Sequence, residues 1–125
     1  MMIRKIERFE DIQAWQKARE LNSEIYKITM SSPFSKDFSL CDQIRRTSIS
    51  IMTNIAEGFG RLSKKEFANF LNIAHGSAAE LQCHLYAALD LHYIDQKCFE
   101  EYYGKVDEIS RMIRGLINHL KKSLT

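Results

Sequence analysis

Apolar residues recur every three or four positions through most of the chain, in four segments separated by short polar breaks. This spacing places apolar side chains on one face of an α-helix, which has 3.6 residues per turn. We therefore predict helices at about residues 11–30, 39–57, 63–92 and 95–122. Because the breaks are short, neighbouring helices should run antiparallel. The pattern predicts an all-α fold, an antiparallel up-down-up-down four-helix bundle, as a single domain spanning residues 1–125.

The centres of these apolar faces predict the hydrophobic core. On the second helix the apolar face widens through Ile49 and Met52 to nearly half the circumference, so this helix should contact more than one neighbour. We expect the following side chains to be buried: Trp15, Ile44, Ile51, Leu71, Leu81, Leu85, Ile109 and Ile113.

Polar residues before three of the segments predict where the helices begin. Asp11 and Asp95 are expected N-caps, because a short carboxylate can accept hydrogen bonds from the free N–H groups of a first helical turn. Ser63 is followed three positions later by Glu66, which is the spacing of a capping box.

Proline and glycine predict where two helices end. Pro33 should end the first helix, because the residue before a proline disfavours helical geometry. Gly58 and Gly60 should end the second helix by adopting the left-handed backbone geometry that glycine tolerates.

Composition is ordinary for a soluble globular protein, with 45% hydrophobic and 27% charged residues. The net charge of +2 is too small to identify a nucleic-acid-binding protein by charge alone. No signal peptide is expected from the N-terminal residues, and no window reaches the roughly 18 apolar residues of a membrane span. Cys41, Cys83 and Cys98 lie far apart, so we predict reduced cysteines and a cytoplasmic location without membrane contact.

The histidines and cysteines lack the spacings that are typical of catalytic or metal sites. A di-iron bundle needs glutamate three residues before histidine, and no histidine here meets that requirement. Glu80 and His84 are four residues apart, which is more typical of a surface pair. Gly58 and Gly60 do not follow a strand, so they do not indicate a phosphate-binding loop. We predict no enzyme activity, no catalytic residue, no metal site and no cofactor.

A series of motifs, in a fixed order, covers nearly the whole chain and ends with a looser match near Gly115. This order resembles the four-helix bundle protein family, also called the 23S ribosomal RNA intervening-sequence protein family. That family is related to the accessory protein of diversity-generating retroelements. The motifs are Phe9-Glu10-Asp11-Ile12, Trp15-Gln16-Lys17-Ala18, Gln43-Ile44-Arg45-Arg46, Asn54-Ile55-Ala56-Glu57-Gly58 and residues 63–67 and 70–81.

The resemblance implies a left-handed bacterial four-helix bundle that often assembles as a ring-shaped pentamer. Some members are encoded inside insertions in 23S ribosomal RNA genes, and the accessory-protein branch works with a reverse transcriptase and nucleic acid. A homo-oligomer, with RNA or a nucleic-acid-processing protein as partner, is therefore expected. Two positions depart from the family pattern: Met52 stands where proline is usual, and His75 stands where arginine is usual.

Three groups of residues are candidates for binding. A basic group could contact nucleic acid or a protein partner, or could be ordinary solvated charge. A polar group on the second helix could be a solvated face, a structural network or a functional contact. Small residues on the third helix indicate a contact with another helix, because mid-helix Gly76 costs about 1 kcal/mol relative to alanine, although an exposed surface remains the alternative. The basic group consists of Arg45, Arg46, Arg61, Lys64 and Lys65. The polar group consists of Asn54 and Glu57, with Arg46, Ser50 and Arg61. The small-residue group consists of Gly76, Ala79, Cys83 and Ala87.

These observations together predict a non-catalytic, self-assembling helical scaffold or adaptor that binds RNA, a protein partner or both. The alternative is a purely structural homo-oligomer of unknown partner without nucleic-acid binding.

Overall fold

Four long helices form the structure, a computed structural model that describes residues 5–122. They are α1 (Gln13–Thr29), α2 (Phe38–Phe59), α3 (Lys64–Asp90) and α4 (Gln96–Lys122). Two short 3₁₀ helices, Phe9–Asp11 and Phe34–Lys36, precede α1 and α2. Helices include 84% of the described residues, among which there is no strand. The predicted all-α fold is confirmed.

Each long helix makes its main contacts with two others, in the cyclic order α1, α2, α3, α4. Pairs of side chains show that α2 and α3 run antiparallel. Ser50 contacts Ser77, whereas Thr47, one turn earlier on α2, contacts Glu80, one turn later on α3. The α2 helix continues without interruption through Met52, which has the backbone N–H that proline would lack.

The core lies along the axis of the bundle, where all four helices contribute apolar side chains. Leu81, Leu85 and Ile113 have no exposed surface, and Trp15 retains only 9%. All eight side chains predicted to form the core are buried, so the prediction is confirmed. The periodicity succeeds because a buried stripe requires apolar residues at the helical repeat.

The start of α1 differs from the prediction. Asp11 is not its N-cap, because Ile12 occupies that position and the helix begins at Gln13. The Asp11 carboxylate instead accepts hydrogen bonds from the backbone N–H groups of Glu7 and Arg8, at 3.1 and 3.2 Å. Asp11 therefore stabilises the 3₁₀ turn that precedes α1.

The predicted caps of α3 and α4 are both present. Ser63 Oγ accepts a hydrogen bond from the Glu66 backbone N–H at 3.1 Å. Asp95 Oδ1 accepts one from the Cys98 backbone N–H at 2.8 Å. The Glu66 carboxylate accepts from the Ser63 hydroxyl at 3.3 Å rather than from the Ser63 backbone N–H, so only the Ser63 half of the predicted capping box forms.

The end of α2 does not use left-handed geometry, so that prediction is wrong. Gly60 follows the helix with φ −73° and ψ −10°, and Gly58 is buried inside its last turn. Left-handed geometry occurs instead after α3, at His92, whose φ is 62°. The backbone N–H of His92 bonds to the carbonyl of Leu89, and that of Tyr93 bonds to the carbonyl of Ala88. These two bonds form a Schellman motif, and α3 ends at Asp90 rather than at residue 92.

Candidate functional site

Three of the five predicted cationic residues surround the turn between α2 and α3. Arg61 Nη2 pairs with Glu57 Oε1 at 3.1 Å, and its guanidinium lies 4.8 Å from the centre of the Phe70 ring. Lys64 and Lys65 are exposed in the first turn of α3. This turn therefore presents two lysine ammonium groups to solvent, beside an arginine that already contacts its own chain.

The other two predicted cations lie in the N-terminal half of α2. Arg45 Nε donates to Thr29 Oγ1 at 2.8 Å, and its guanidinium lies 4.7 Å from the centre of the Tyr26 ring. Arg46 pairs with Asp42 one turn earlier, at 2.9 Å. From Arg46 to the end of α2 at Phe59 is a step of 13 residues, which corresponds to roughly 20 Å of helix. The five cations therefore form two separate groups on one subunit.

The predicted polar group is divided among three different contacts, one of which is the pair between Arg46 and Asp42. Asn54 Nδ2 donates to the Ser50 carbonyl at 2.8 Å and to Ser50 Oγ at 3.0 Å. The Ser50 hydroxyl in turn lies 3.0 Å from the Ser77 hydroxyl, which links α2 to α3. Glu57 does not join this network, because its carboxylate pairs with Arg61. Asn54 thus has a structural position between helices, whereas Glu57 belongs to a surface ion pair.

Gly58 allows α2 and α3 to approach closely, a role that the sequence prediction missed. A Cβ atom at this position would lie 2.7 Å from the Phe70 Cβ and 3.0 Å from Phe67 Cδ1. Real side chains do not tolerate such distances, so only glycine fits without movement of α3. A signal was available in the sequence, because Gly58 continues the buried stripe of Ile51 and Ile55.

An open groove of about 570 Å³ lies between the C-terminal half of α1 and the N-terminal half of α2. Apolar side chains are unusually exposed along it: Phe38 by 81%, Met30 by 68% and Ile49 by 42%. The groove continues along α1 into a second depression, and the two share Tyr26 and Met30. We call this continuous surface the α1–α2 groove. It was not predicted, although the wide apolar face of α2 already included Ile49.

Three of the four small residues predicted on α3, Gly76, Ala79 and Cys83, are exposed on the side of the helix that faces away from the core. The fourth, Ala87, departs from the prediction, because it is half-buried and packs against the core. No side chain or neighbouring helix lies within 4 Å of a Cβ placed at Gly76. We call this surface the α3 outer face. Glu80 also belongs to it, and the carboxylate of Glu80 accepts a hydrogen bond from Thr47 at 3.4 Å.

The histidines and cysteines do not form a reactive cluster in the part of the chain that the structure describes. No group of three or more His, Cys, Asp or Glu residues within 5–122 could hold a metal ion. Burial lowers the pKa of His84 and so favours its neutral form. Burial also raises the pKa of the Cys41 thiol, which donates to the Phe34 carbonyl at 3.1 Å and is therefore a poor nucleophile. His75, where the family pattern has arginine, lies 3.3 Å from Arg114 Nη2.

No helix within residues 5–122 combines the length and the hydropathy that crossing a bilayer requires.

Comparison with known proteins identifies a family model and similar solved structures. Residues 10–115 match the family model described as 23S rRNA-intervening sequence protein. Among solved structures, the chain is similar to a protein with unknown function from the S23 ribosomal protein family of Bacteroides thetaiotaomicron VPI-5482. The two are 29% identical with a TM-score of 0.78, over 84% of this chain and 95% of that chain. No curated protein matches the sequence. The resemblance inferred from the sequence motifs is confirmed.

Proposed function

The chain belongs to the 23S rRNA-intervening sequence protein family, and we propose that it is a non-catalytic scaffold that assembles with copies of itself and binds a further partner. The main support is the apolar surface that the monomer leaves exposed. Phe38 and Met30 stand in the α1–α2 groove, and Ile73 and Tyr86 are half exposed on α3. An exposed apolar patch such as the groove usually marks an interaction site.

Self-assembly through the α3 outer face is the first part of the proposal. Small residues there allow another helix to approach closely, which accounts for a mid-helix glycine at position 76 that fits against nothing in the monomer. A cyclic pentamer is the expected assembly, from the resemblance to the family. A ring repeats one heterologous interface until it closes, so one disruptive substitution affects every contact at once.

Light scattering coupled to size exclusion tests the assembly at micromolar concentration. We expect a mass five times the 14.6 kDa of one chain. Ala79→Arg should give a folded helical monomer, whereas Asn118→Arg adds the same charge to an exposed position on α4 and should keep the assembly. A monomeric unmodified protein would contradict self-assembly. An Ala79→Arg variant that retains the native mass would exclude the α3 outer face.

RNA binding is the second part, and the exposed Lys64 and Lys65 are its candidates. A ring would repeat these weak phosphate contacts around its axis and so increase the total affinity. Fluorescence anisotropy with a labelled single-stranded RNA oligonucleotide should show binding that weakens as salt concentration rises. Each phosphate contact contributes a slope of about 0.7 in log affinity against log salt concentration.

The matched variants for RNA binding replace two lysines in each case. Lys64→Gln with Lys65→Gln should reduce both affinity and salt slope. Lys97→Gln with Lys121→Gln removes the same charge from exposed positions on α4 and should have the smaller effect. An assembled protein that does not bind RNA at low salt would favour the alternative, a purely structural homo-oligomer.

The proposal also includes a cytoplasmic location and the absence of bound metal. Cys41, Cys83 and Cys98 are free thiols, which fits a reducing compartment. Elemental analysis of protein purified without added metal should find less than one equivalent of iron or zinc per chain. A full equivalent that disappears in His84→Ala would contradict this part.

A further inference from the structure

We propose that the α1–α2 groove of one copy receives the α3 outer face of the next copy. This inference rests on the proposed self-assembly and identifies the second surface of the interface. It makes the assembly head-to-tail, with one apolar groove and one small-residue face used by every subunit.

The sizes of the side chains on the two surfaces are complementary. The groove presents three large apolar side chains that solvent reaches, Phe38, Met30 and Ile49. The α3 outer face has small side chains at Gly76, Ala79 and Cys83, and open space around Gly76. Protein interfaces reach the packing density of protein interiors at their centres, which requires large groups on one side to meet small groups on the other.

The charges of the two surfaces are also complementary. Cations outnumber anions along the groove, where Asp42 is the anionic side chain among the described lining residues. By contrast, the sequence from Phe67 to Asp90 contains no lysine or arginine, and the α3 outer face includes Glu80. Opposite charges of this kind select partners and orient them as they approach. The cationic side chains that line the groove are Arg19, Lys27, Arg45 and Arg46.

Arg45 is already held in a position where it could meet a carboxylate of the partner. Two contacts hold its guanidinium against α1: it lies over the face of the Tyr26 ring, and its Nε donates a hydrogen bond to the Thr29 hydroxyl. Its two terminal nitrogens make no hydrogen bond with any residue of 5–122. A preorganised arginine loses less conformational entropy on binding than a free one.

The two surfaces belong to different elements of the bundle, so one subunit can use both at the same time. The groove is formed by α1 and α2, whereas the face is formed by α3 alone. A copy seated in a groove therefore still offers its own groove to another copy. Such an interface is heterologous and generates a closed ring or an open filament.

A mixing experiment tests the pairing directly. Phe38→Arg disrupts the groove, Ala79→Arg disrupts the face, and both positions are exposed, so helicity by circular dichroism should be unchanged. Each variant alone should be monomeric. An equimolar mixture should form a heterodimer of twice the monomer mass and nothing larger, because one partner supplies an intact face and the other an intact groove. Both disrupted surfaces carry arginine, so they repel each other.

The control mixture combines Ala79→Arg with Cys83→Arg, which both disrupt the α3 outer face, and should remain monomeric. If Phe38→Arg does not fold, Ile49→Arg replaces it as the groove variant. A single interface lacks the avidity of a ring, so the heterodimer should be weaker than the native assembly. The masses are therefore measured by sedimentation velocity over a series of protein concentrations. A monomeric mixture, or a groove variant that keeps the native assembly, would overturn this inference and leave self-assembly standing. A monomeric unmodified protein would overturn both.

Discussion

The contact between α2 and α3 and the contact between α1 and α4 are built in different ways. At the first, Gly58 places the backbone of α2 against the side chains of Phe67 and Phe70. Further along the same pair of helices, the Ser50 and Ser77 hydroxyls lie 3.0 Å apart. Small side chains thus allow the two backbones to approach closely along this contact.

Long charged side chains connect α1 and α4 instead. Lys105 Nζ lies 2.6 Å from Glu24 Oε2, and Lys17 Nζ lies 3.5 Å from Glu108 Oε1. These pairs also show that α1 and α4 are antiparallel, and a cavity of about 160 Å³ lies among them. Ion pairs near the surface are weak because water and salt screen them.

The difference indicates that stability is distributed unevenly through the bundle. Close packing of apolar groups is lost only when helices separate, whereas screened ion pairs can break with little consequence. We therefore expect α1 to detach from α4 more readily than α2 detaches from α3. The following substitutions test that expectation, beginning with the largest effect.

Truncation of Leu85 should destabilise the protein most. Leu85 is on α3 and has no exposed surface, so Leu85→Ala removes buried methyl groups and leaves a cavity. We expect a loss of about 2–5 kcal/mol in the free energy of unfolding. Leu116 is half-buried on α4, so Leu116→Ala should cost less. Chemical denaturation at one fixed protein concentration measures both. An unchanged midpoint and slope for Leu85→Ala would place this side chain outside the core.

Two glycine substitutions test the close approach at Gly58. Gly58→Ala introduces a Cβ too near Phe70 and should cost about 1–3 kcal/mol from overpacking, offset in part by better helix propensity. Gly104→Ala is the control, because no side chain or neighbouring helix lies within 4 Å of its added Cβ. It should stabilise the protein by about 0.5–1 kcal/mol. Two variants that change stability by the same amount and sign would show that α2 and α3 are not in tight contact.

The sequence predicts the helices and the core well because burial produces a periodic signal. Gly58 shows where this reasoning fails. A glycine near the end of a helix is compatible with a left-handed end or with a close helix contact, and only the position of Phe70 distinguishes them. Similarly, His92 adopts left-handed geometry without being glycine, since the backbone bonds of the α3 end compensate for its cost.

Candidate binding residues were harder to predict, because their surroundings depend on other helices. Arg45 and Arg46 are adjacent in sequence, yet Arg45 bonds to α1 while Arg46 pairs within α2. Ile49 belongs to the apolar face of α2 but remains exposed, because α1 does not cover it. Periodicity identifies which residues share a face and does not show which part of that face a neighbour covers.

The smallest expected effect comes from the ion pair between Lys105 and Glu24. Their side chains are 42% and 29% exposed, so solvent screening limits the interaction. A double-mutant cycle with Lys105→Met and Glu24→Gln should give a coupling energy of about 0.2–1 kcal/mol that decreases as salt concentration rises.

The pKa of Lys105 is raised above 10.5, chiefly by its hydrogen bond to Glu24. A raised folded pKa means that the coupling is complete below the unfolded lysine's pKa and disappears as pH rises through the folded value. Because Lys105 stays charged between neutral and mildly basic pH, its titration should not change the coupling energy in that range. A coupling energy as large as the effect of Leu85→Ala, or one insensitive to salt, would show that the α1–α4 contact is no weaker than the α2–α3 contact.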